Sequence, residues 1–208
     1  MLDYLKTNTM SLLCNGCSFT FGDELEEGEQ TYAEILGATN IARCASSNDN
    51  IARRTLMYLQ DHDVDQVIMQ WTYKNRREHF YDSGMVEGII PQIYKDGRAI
   101  TKPISKIFYT SFQNSRLDNE NMWKNILLVD SYCRMKNIKV IHWSVEPRKW
   151  CKGECYFYDI TNFDIHNIKK IVGKGKRGFW GQDENWRPRG HLSQLGHKKV
   201  ADYLYNLL

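Results

Sequence analysis

Strand-length apolar runs alternate with stretches of helical spacing along this chain, and that alternation restricts it to a sheet built from crossover connections. Residues 10–15, 67–71 and 138–145 are short apolar runs bounded by polar or turn residues, the pattern of strands buried on both faces. Between them lie helical patterns. Thr31-Tyr-Ala-Glu34 is a capping box that opens a helix running to about Gly37, because the threonine hydroxyl takes one orphan N–H and the glutamate reaches back to another. Residues 45–49 (Ala-Ser-Ser-Asn-Asp) gather small capping side chains before Ile51, Leu56 and Leu59, so a second helix begins there. Met122, Trp123, Ile126, Leu127, Val129 and Cys133 follow helical spacing over 119–136. Strand, helix, strand in this order predicts an α/β domain with a mostly parallel sheet and helices on both faces.

The remaining segments are assigned by weaker signals. Residues 40–44 form a short second strand, and 164–171 a helix capped by Asp164. Ser193 caps a last helix with Leu195, Val200, Leu204 and Leu207 on one face. Residues 85–110 read as an insertion containing a hairpin, 93–100, around a Lys-Asp-Gly turn. Residues 173–190 form a long loop rich in Gly, Arg and Trp, of a length that is usually functional inside a compact domain. The 208 residues fit one domain, 1–208, interrupted only by that insertion.

Charge and cysteine content narrow the function classes. Twenty-eight Lys and Arg against 25 Asp and Glu leave a net charge of +3, which gives no general attraction for nucleic acid or anionic membranes. Residues 23–29 are acidic and 169–199 basic, a contrast read here as two solvated loops of opposite sign. No run of about 18 apolar residues exists to span a membrane, and the first residues lack the pattern of a secretory signal. A cytoplasmic address is therefore expected, with the six cysteines as free thiols. Cys14/Cys17 flank a strand end rather than a knuckle and Cys151/Cys155 have the wrong internal spacing for a common zinc ribbon, so no metal is expected.

The chemistry-bearing stretch is Leu12-Leu-Cys-Asn-Gly-Cys-Ser-Phe-Thr-Phe-Gly-Asp23. An apolar strand stops at a small residue and presents Ser18 between Gly16 and Gly22. A hydroxyl on such a turn can be met by a substrate on one side and a base on the other, while backbone N–H groups point where an oxyanion would form. The polar segment after the 67–71 strand, Thr72-Tyr-Lys-Asn-Arg-Arg77, falls at the strand's C-terminal end, where open α/β sheets bind ligands. His142 lies within a strand and reads as structural.

Gly190-His-Leu-Ser-Gln-Leu-Gly-His-Lys-Lys-Val-Ala-Asp-Tyr-Leu, taken with Gly16-Cys-Ser-Phe-Thr-Phe-Gly-Asp, resembles the last and first blocks of the SGNH (GDSL-type) hydrolases. The likeness extends in order through 40–54 and 67–80. It implies a three-layer α/β/α sandwich of the flavodoxin-like kind with about five strands. It also implies hydrolysis of acyl or carbohydrate esters through an acyl-serine, with no cofactor. Ser18 would be the nucleophile and His191 its base, while His197, one turn into the last helix, reads as structural. The oxyanion would be held by the N–H groups of Ser18 and Ala45 with an amide from Asn75 or Asn48. Ala45 stands where the family has a glycine, and Lys74 near its asparagine. The acid usually placed three residues before the histidine falls on Pro188, so Asp183, with Glu184 beside it, is the expected replacement. Three functions stay open on the sequence: a serine esterase or the acyltransferase that would look identical, a binding or structural protein that keeps the fold, and a nucleic-acid binder using the basic 169–199 segment.

Overall fold

The computed structural model describes residues 10–80, 82–83, 86–89, 102–146, 164–167, 171–172, 184–185, 187 and 190–208. Five parallel strands form the sheet: β1 (Leu12–Asn15), β2 (Thr39–Asn40), β3 (Gln66–Trp71), β6 (Lys139–Ser144) and β7 (His166–Asn167), in the order β2-β1-β3-β6-β7. The first chain crossover runs to one side of β1 and the next to the other. The order of the sheet thus reverses beside β1, and a crevice opens at its C-terminal end. Every residue of β3, the middle strand, is buried, which is why its sequence is a run rather than an alternation.

Register decides what each helix covers. Asn15, Met69 and His142 lie side by side across β1, β3 and β6. Asn15 donates to Ile51 O and to the Thr55 hydroxyl of α3 (Asn48–Asp61), and His142 faces Asp130 of α5 (Ser115–Met135). The neighbouring row, with Gln70 beside Trp143, points to the opposite face. There Trp143 meets the ring of Tyr32 in α2 (Tyr32–Ile35), which packs against α6 (Gln194–Tyr205). Two helix pairs, α3 with α5 and α2 with α6, therefore enclose one core. Its largest fully buried side chains include Trp71, Trp123, Trp143, Tyr32, Ile68, Met122 and Ile126. Each of these contributes on the order of 2 kcal/mol or more by burial.

Helix starts follow the local chemistry. Thr31 and Glu34 form the reciprocal capping box, Ser47 accepts from Asn50 N–H, and Ser193 accepts from Gly196 N–H. Each cap contributes about 1 kcal/mol. Elsewhere the structure departs from the sequence expectations. Within the segment expected as a helix, His166–Asn167 extends the sheet as β7, because pairing with β6 outweighs a weak cap signal at Asp164. The second strand is confined to Thr39–Asn40. An antiparallel hairpin, β4 (Arg77–Phe80) with β5 (Val86–Ile89), follows the polar segment after β3. The hairpin expected at 93–100 lies outside the described residues. Beyond it, α4 (Lys102–Ile107) runs into a π-helical turn, Phe108–Phe112.

Candidate active site

The turn after β1 is held by two buried side-chain amides. Asn15 Oδ1 accepts the Gly16 N–H at 2.8 Å while its Nδ2 is tied to α3. Gln70 Oε1 accepts the Cys17 N–H at 2.7 Å and the Thr20 hydroxyl at 3.2 Å, and Gln70 Nε2 donates to Trp71 O. This close approach excludes a side chain at position 16, since a Cβ there would sit 2.2 Å from Thr20 Oγ1 and 2.5 Å from Gln70 Oε1. The single-turn helix α1 (Ser18–Phe21) then begins with Ser18 as its first residue. The Ser18 N–H has no hydrogen-bond partner among the described residues, as expected of a helix-opening donor.

The Ser18 hydroxyl lies 3.0 Å from His191 Nε2, and His191 Nδ1 lies 2.7 Å from Glu24 Oε2. A carboxylate can only accept, so Nδ1 carries the ring proton and Nε2 presents its lone pair to the serine O–H. Glu24 Oε2 also accepts the backbone N–H of His191 at 3.2 Å, which fixes the imidazole by two bonds to one oxygen. The Phe19 ring packs against it with centroids 5.3 Å apart. Asp23 Oδ2 stands 3.6 Å from Nε2 and accepts the Cys44 thiol at 3.3 Å.

Glu24 reaches the histidine because the chain doubles back after α1. Both Gly22 (φ 89°) and Glu24 (φ 69°) are left-handed, and the N–H groups of Gly22 and Asp23 close onto Ser18 O. A second clamp comes from the other side. Arg187 N–H donates to His191 O at 2.8 Å, while its guanidinium pairs with Glu26 at 2.9 Å and with Glu29. A hydrogen bond from the Glu26 backbone, aided by Arg187, holds the Glu29 carboxyl below its usual range. The acidic and basic segments, expected as separate solvated loops, are therefore joined through Arg187, and the joint delivers His191 to Glu24.

The other expected site residues are distributed as follows. Asp183 and Pro188 lie outside the described residues; the position at Nδ1 expected for Asp183 is taken by Glu24. Glu184 is exposed, and its backbone carbonyl accepts the Ser193 hydroxyl. Ala45 adopts φ 61°, the backbone that a glycine takes without strain. Asn48 is engaged by Thr72, accepting its N–H at 2.9 Å and donating to its carbonyl at 3.3 Å. Asn75 sits in the turn after β3, where its backbone carbonyl accepts the Tyr109 hydroxyl. Lys74 donates from Nζ to Asn119 at 2.7 Å. Burial, then the Asp23 carboxylate, pushes the Cys44 thiol up to about 11, and burial pushes Cys14 far up as well. Both thiols stay protonated at neutral pH. No cluster of three metal-ligating side chains occurs among the described residues; Cys151 and Cys155 lie outside them.

Two further histidines are built the opposite way round. Trp71 Nε1–H donates to His142 Nδ1 at 3.0 Å, and Tyr32 N–H donates to His197 Nδ1 at 3.1 Å. In each case Nδ1 must be bare, so the ring is neutral with its proton on Nε2. Burial lowers both pKa values, that of His197 to about 4. The His142 Nε2 then faces Asp130 Oδ1 at 3.6 Å.

No family model matches the sequence, and no curated protein matches it. Solved structures do match it by shape. The psychrotrophic esterase EstA from Pseudoalteromonas, seen in a form inhibited by monoethylphosphonate, superposes with a TM-score of 0.55 at 13% identity, over 94% of each chain. A GDSL-like lipase from Bacteroides thetaiotaomicron gives 0.56 at 11% identity, over 95% of this chain and 86% of that one. TesA gives 0.56 at 10% identity, over 95% and 97%. The likeness covers nearly the whole chain: the chain has the SGNH (GDSL-type) hydrolase fold.

Proposed function

We propose that this protein is a serine ester hydrolase in which Ser18 is the nucleophile, His191 the general base and Glu24 the acid that orients it. The observation that carries the reading is the unbroken line of hydrogen bonds from Ser18 Oγ through both nitrogens of His191 to Glu24 Oε2. His191 Nε2 takes the Ser18 proton as Oγ attacks an ester carbonyl, and Glu24 stabilises the imidazolium that forms. The imidazolium then returns its proton to the leaving alkoxide. Water, deprotonated by the same Nε2, cleaves the acyl-serine and regenerates the hydroxyl.

The oxyanion is assigned to the unpartnered N–H of Ser18 and to the N–H of Ala45, whose left-handed backbone supplies what a glycine would, with the Asn75 or Asn48 amide as a third donor. Acyl or carbohydrate esters are the substrate class, and the shared fold with an esterase and a lipase supports it. The test is covalent labelling by a fluorophosphonate together with hydrolysis of short-chain acyl esters. Both are expected in the wild-type protein and neither in Ser18→Ala. Product analysis with added alcohols separates hydrolysis from acyl transfer. Failure of the wild-type protein to label would overturn the reading.

A further inference from the structure

The third sequence block carries three cations around Asn75, namely Lys74, Arg76 and Arg77, and Arg76 forms no ion pair among the described residues. Arg76 is only 6% exposed. Its guanidinium makes one long hydrogen bond, from Nη1 to Ser46 O at 3.4 Å. Nε is sealed from solvent without a partner, and Nη2 donates to nothing among the described residues. Its neighbours Lys74 and Arg77 differ. Lys74 Nζ has Asn119, and Arg77 forms an ion pair with Asp118 at 2.5 Å. No described carboxylate lies within ion-pair distance of Arg76. Glu146, buried nearby, feels its charge, but Glu146 Oε2 accepts the Lys74 N–H instead.

A buried guanidinium carries five fixed donors and cannot shed its proton, so its burial costs free energy that an ion pair normally returns. Its place in the fold says where the missing anion would come from. The guanidinium carbon sits 5.0 Å from the centre of the Tyr73 ring. Tyr73, whose hydroxyl is kept protonated first by burial, also feels Cys17 of the nucleophile turn. On its other side Arg76 touches Ser46, the residue after Ala45. Arg76 thus lies between Ser46, next to the assigned oxyanion donor, and the Tyr73 ring, in the segment that follows the C-terminal end of β3, and Ser18 follows the C-terminal end of the neighbouring β1.

We infer that Arg76 is a receptor for an anionic group, a carboxylate or a phosphate, carried by the ester that Ser18 attacks. This rests on the serine-hydrolase reading for the identity of the ligand as a substrate, but the anion site itself does not require it. The planar fork of Arg76 would hold two oxygens at once while the Tyr73 ring backs its face. The ester linkage would then be placed by a contact remote from the reacting carbon, which raises kcat/KM for charged esters over neutral ones of the same shape.

Anion binding is measured first, by the melting temperature of the full chain titrated with sodium acetate, succinate and inorganic phosphate at constant ionic strength. Saturable stabilisation is expected for the carboxylates or for phosphate, and the arm that responds identifies the oxyanion. In Arg76→Met the response should vanish, although the variant without anion melts no lower than wild type, since a buried guanidinium with no ion pair among the described residues has been removed. Arg76→Lys, which keeps the charge but loses the fork, should respond at least about tenfold more weakly. The activity arm compares a monoester bearing a free carboxylate with its neutral methyl-capped isostere. Wild type should prefer the charged ester by about tenfold or more in kcat/KM, mainly through KM, and Arg76→Met should abolish the preference. Anion binding that persists in Ser18→Ala, or in a wild-type protein that hydrolyses neither ester, supports the Arg76 site whatever becomes of the hydrolase reading. Ester hydrolysis without anion-dependent stabilisation, or equal stabilisation in Arg76→Met, overturns the Arg76 site and leaves the hydrolase standing.

Discussion

The His191–Glu24 pair at the C-terminal edge of the sheet and the His142–Asp130 pair inside the α3/α5 face differ in which ring nitrogen holds the proton. At the edge, Glu24 takes the Nδ1–H of His191 and leaves Nε2 as an acceptor for Ser18. Inside, an indole N–H occupies Nδ1 of His142, so its proton sits on Nε2 toward Asp130. The carboxylate is common to both. Chemistry is decided by what meets the other nitrogen: a hydroxyl gives a base something to deprotonate, whereas an indole donor uses up the lone pair that a base needs. Proximity of His to Asp or Glu is therefore no sign of catalysis until the partner of the second nitrogen is known.

The largest effect that would sharpen this contrast is at Ser18. Ser18→Ala should lower ester turnover by at least about 10⁴-fold, as expected when one member of a cooperating triad is removed, with melting temperature nearly unchanged. Residual turnover within tenfold of wild type would erase the distinction between the two histidines. Next comes the orienting acid. Glu24→Gln should cut kcat by about 10²-fold or more, because an amide can donate to Nδ1 and so stabilise the wrong tautomer. Asp183→Asn measured beside it should stay within about twofold of wild type, on the same logic that Nδ1 is already occupied. A reversal of those two results would move the acid from the nucleophile loop to the long one.

Smaller effects concern stability. The folded protein holds His197 at about 4, below the ordinary 6.5, so between those values the unfolded chain binds more protons. The stability from His197 is thus complete above about pH 6.5 and is lost as pH falls toward 4, on the order of 3 kcal/mol in all. Urea unfolding from pH 7.5 to 4 checks the slope, and His197→Gln should flatten it. His142, also lowered by burial, adds loss of the same sign. Smallest is Asp130→Asn, expected to cost about 1–2 kcal/mol through the weakened His142 contact and the lost Arg134 pair. Its kcat per folded molecule should be unaffected, which is the functional half of the contrast.

Ser18 and His191 stand out in the sequence because each depends on local signals: a strand that stops at Gly16, and a cap at Ser193 just after the histidine. The parallel sheet was legible for a similar reason, since β1, β3 and β6 are apolar runs on their own. Glu24 was not legible as a partner. It meets His191 across 167 positions, and only a left-handed backbone at a residue that is not glycine turns it inward. The available clue was the combination of a proline where an acid was expected and a carboxylate run directly after the serine turn. Strand β7 was hidden because two residues carry no periodicity, and the tie of Asn48, named as a candidate amide, to the Thr72 backbone was hidden because a backbone partner has no side-chain signature.

The placement of Glu24 separates the site into two unequal deliveries during synthesis. The proposed nucleophile Ser18 and the proposed acid Glu24 leave the ribosome together, on one short segment, long before the imidazole of His191 that joins them. Until residue 191 has emerged and Arg187 has drawn it onto the acidic loop, the Ser18 hydroxyl lacks the imidazole that the proposed mechanism assigns to it as base. On the proposed reading, hydrolysis would begin only once the segment carrying His191 has docked against the acidic loop.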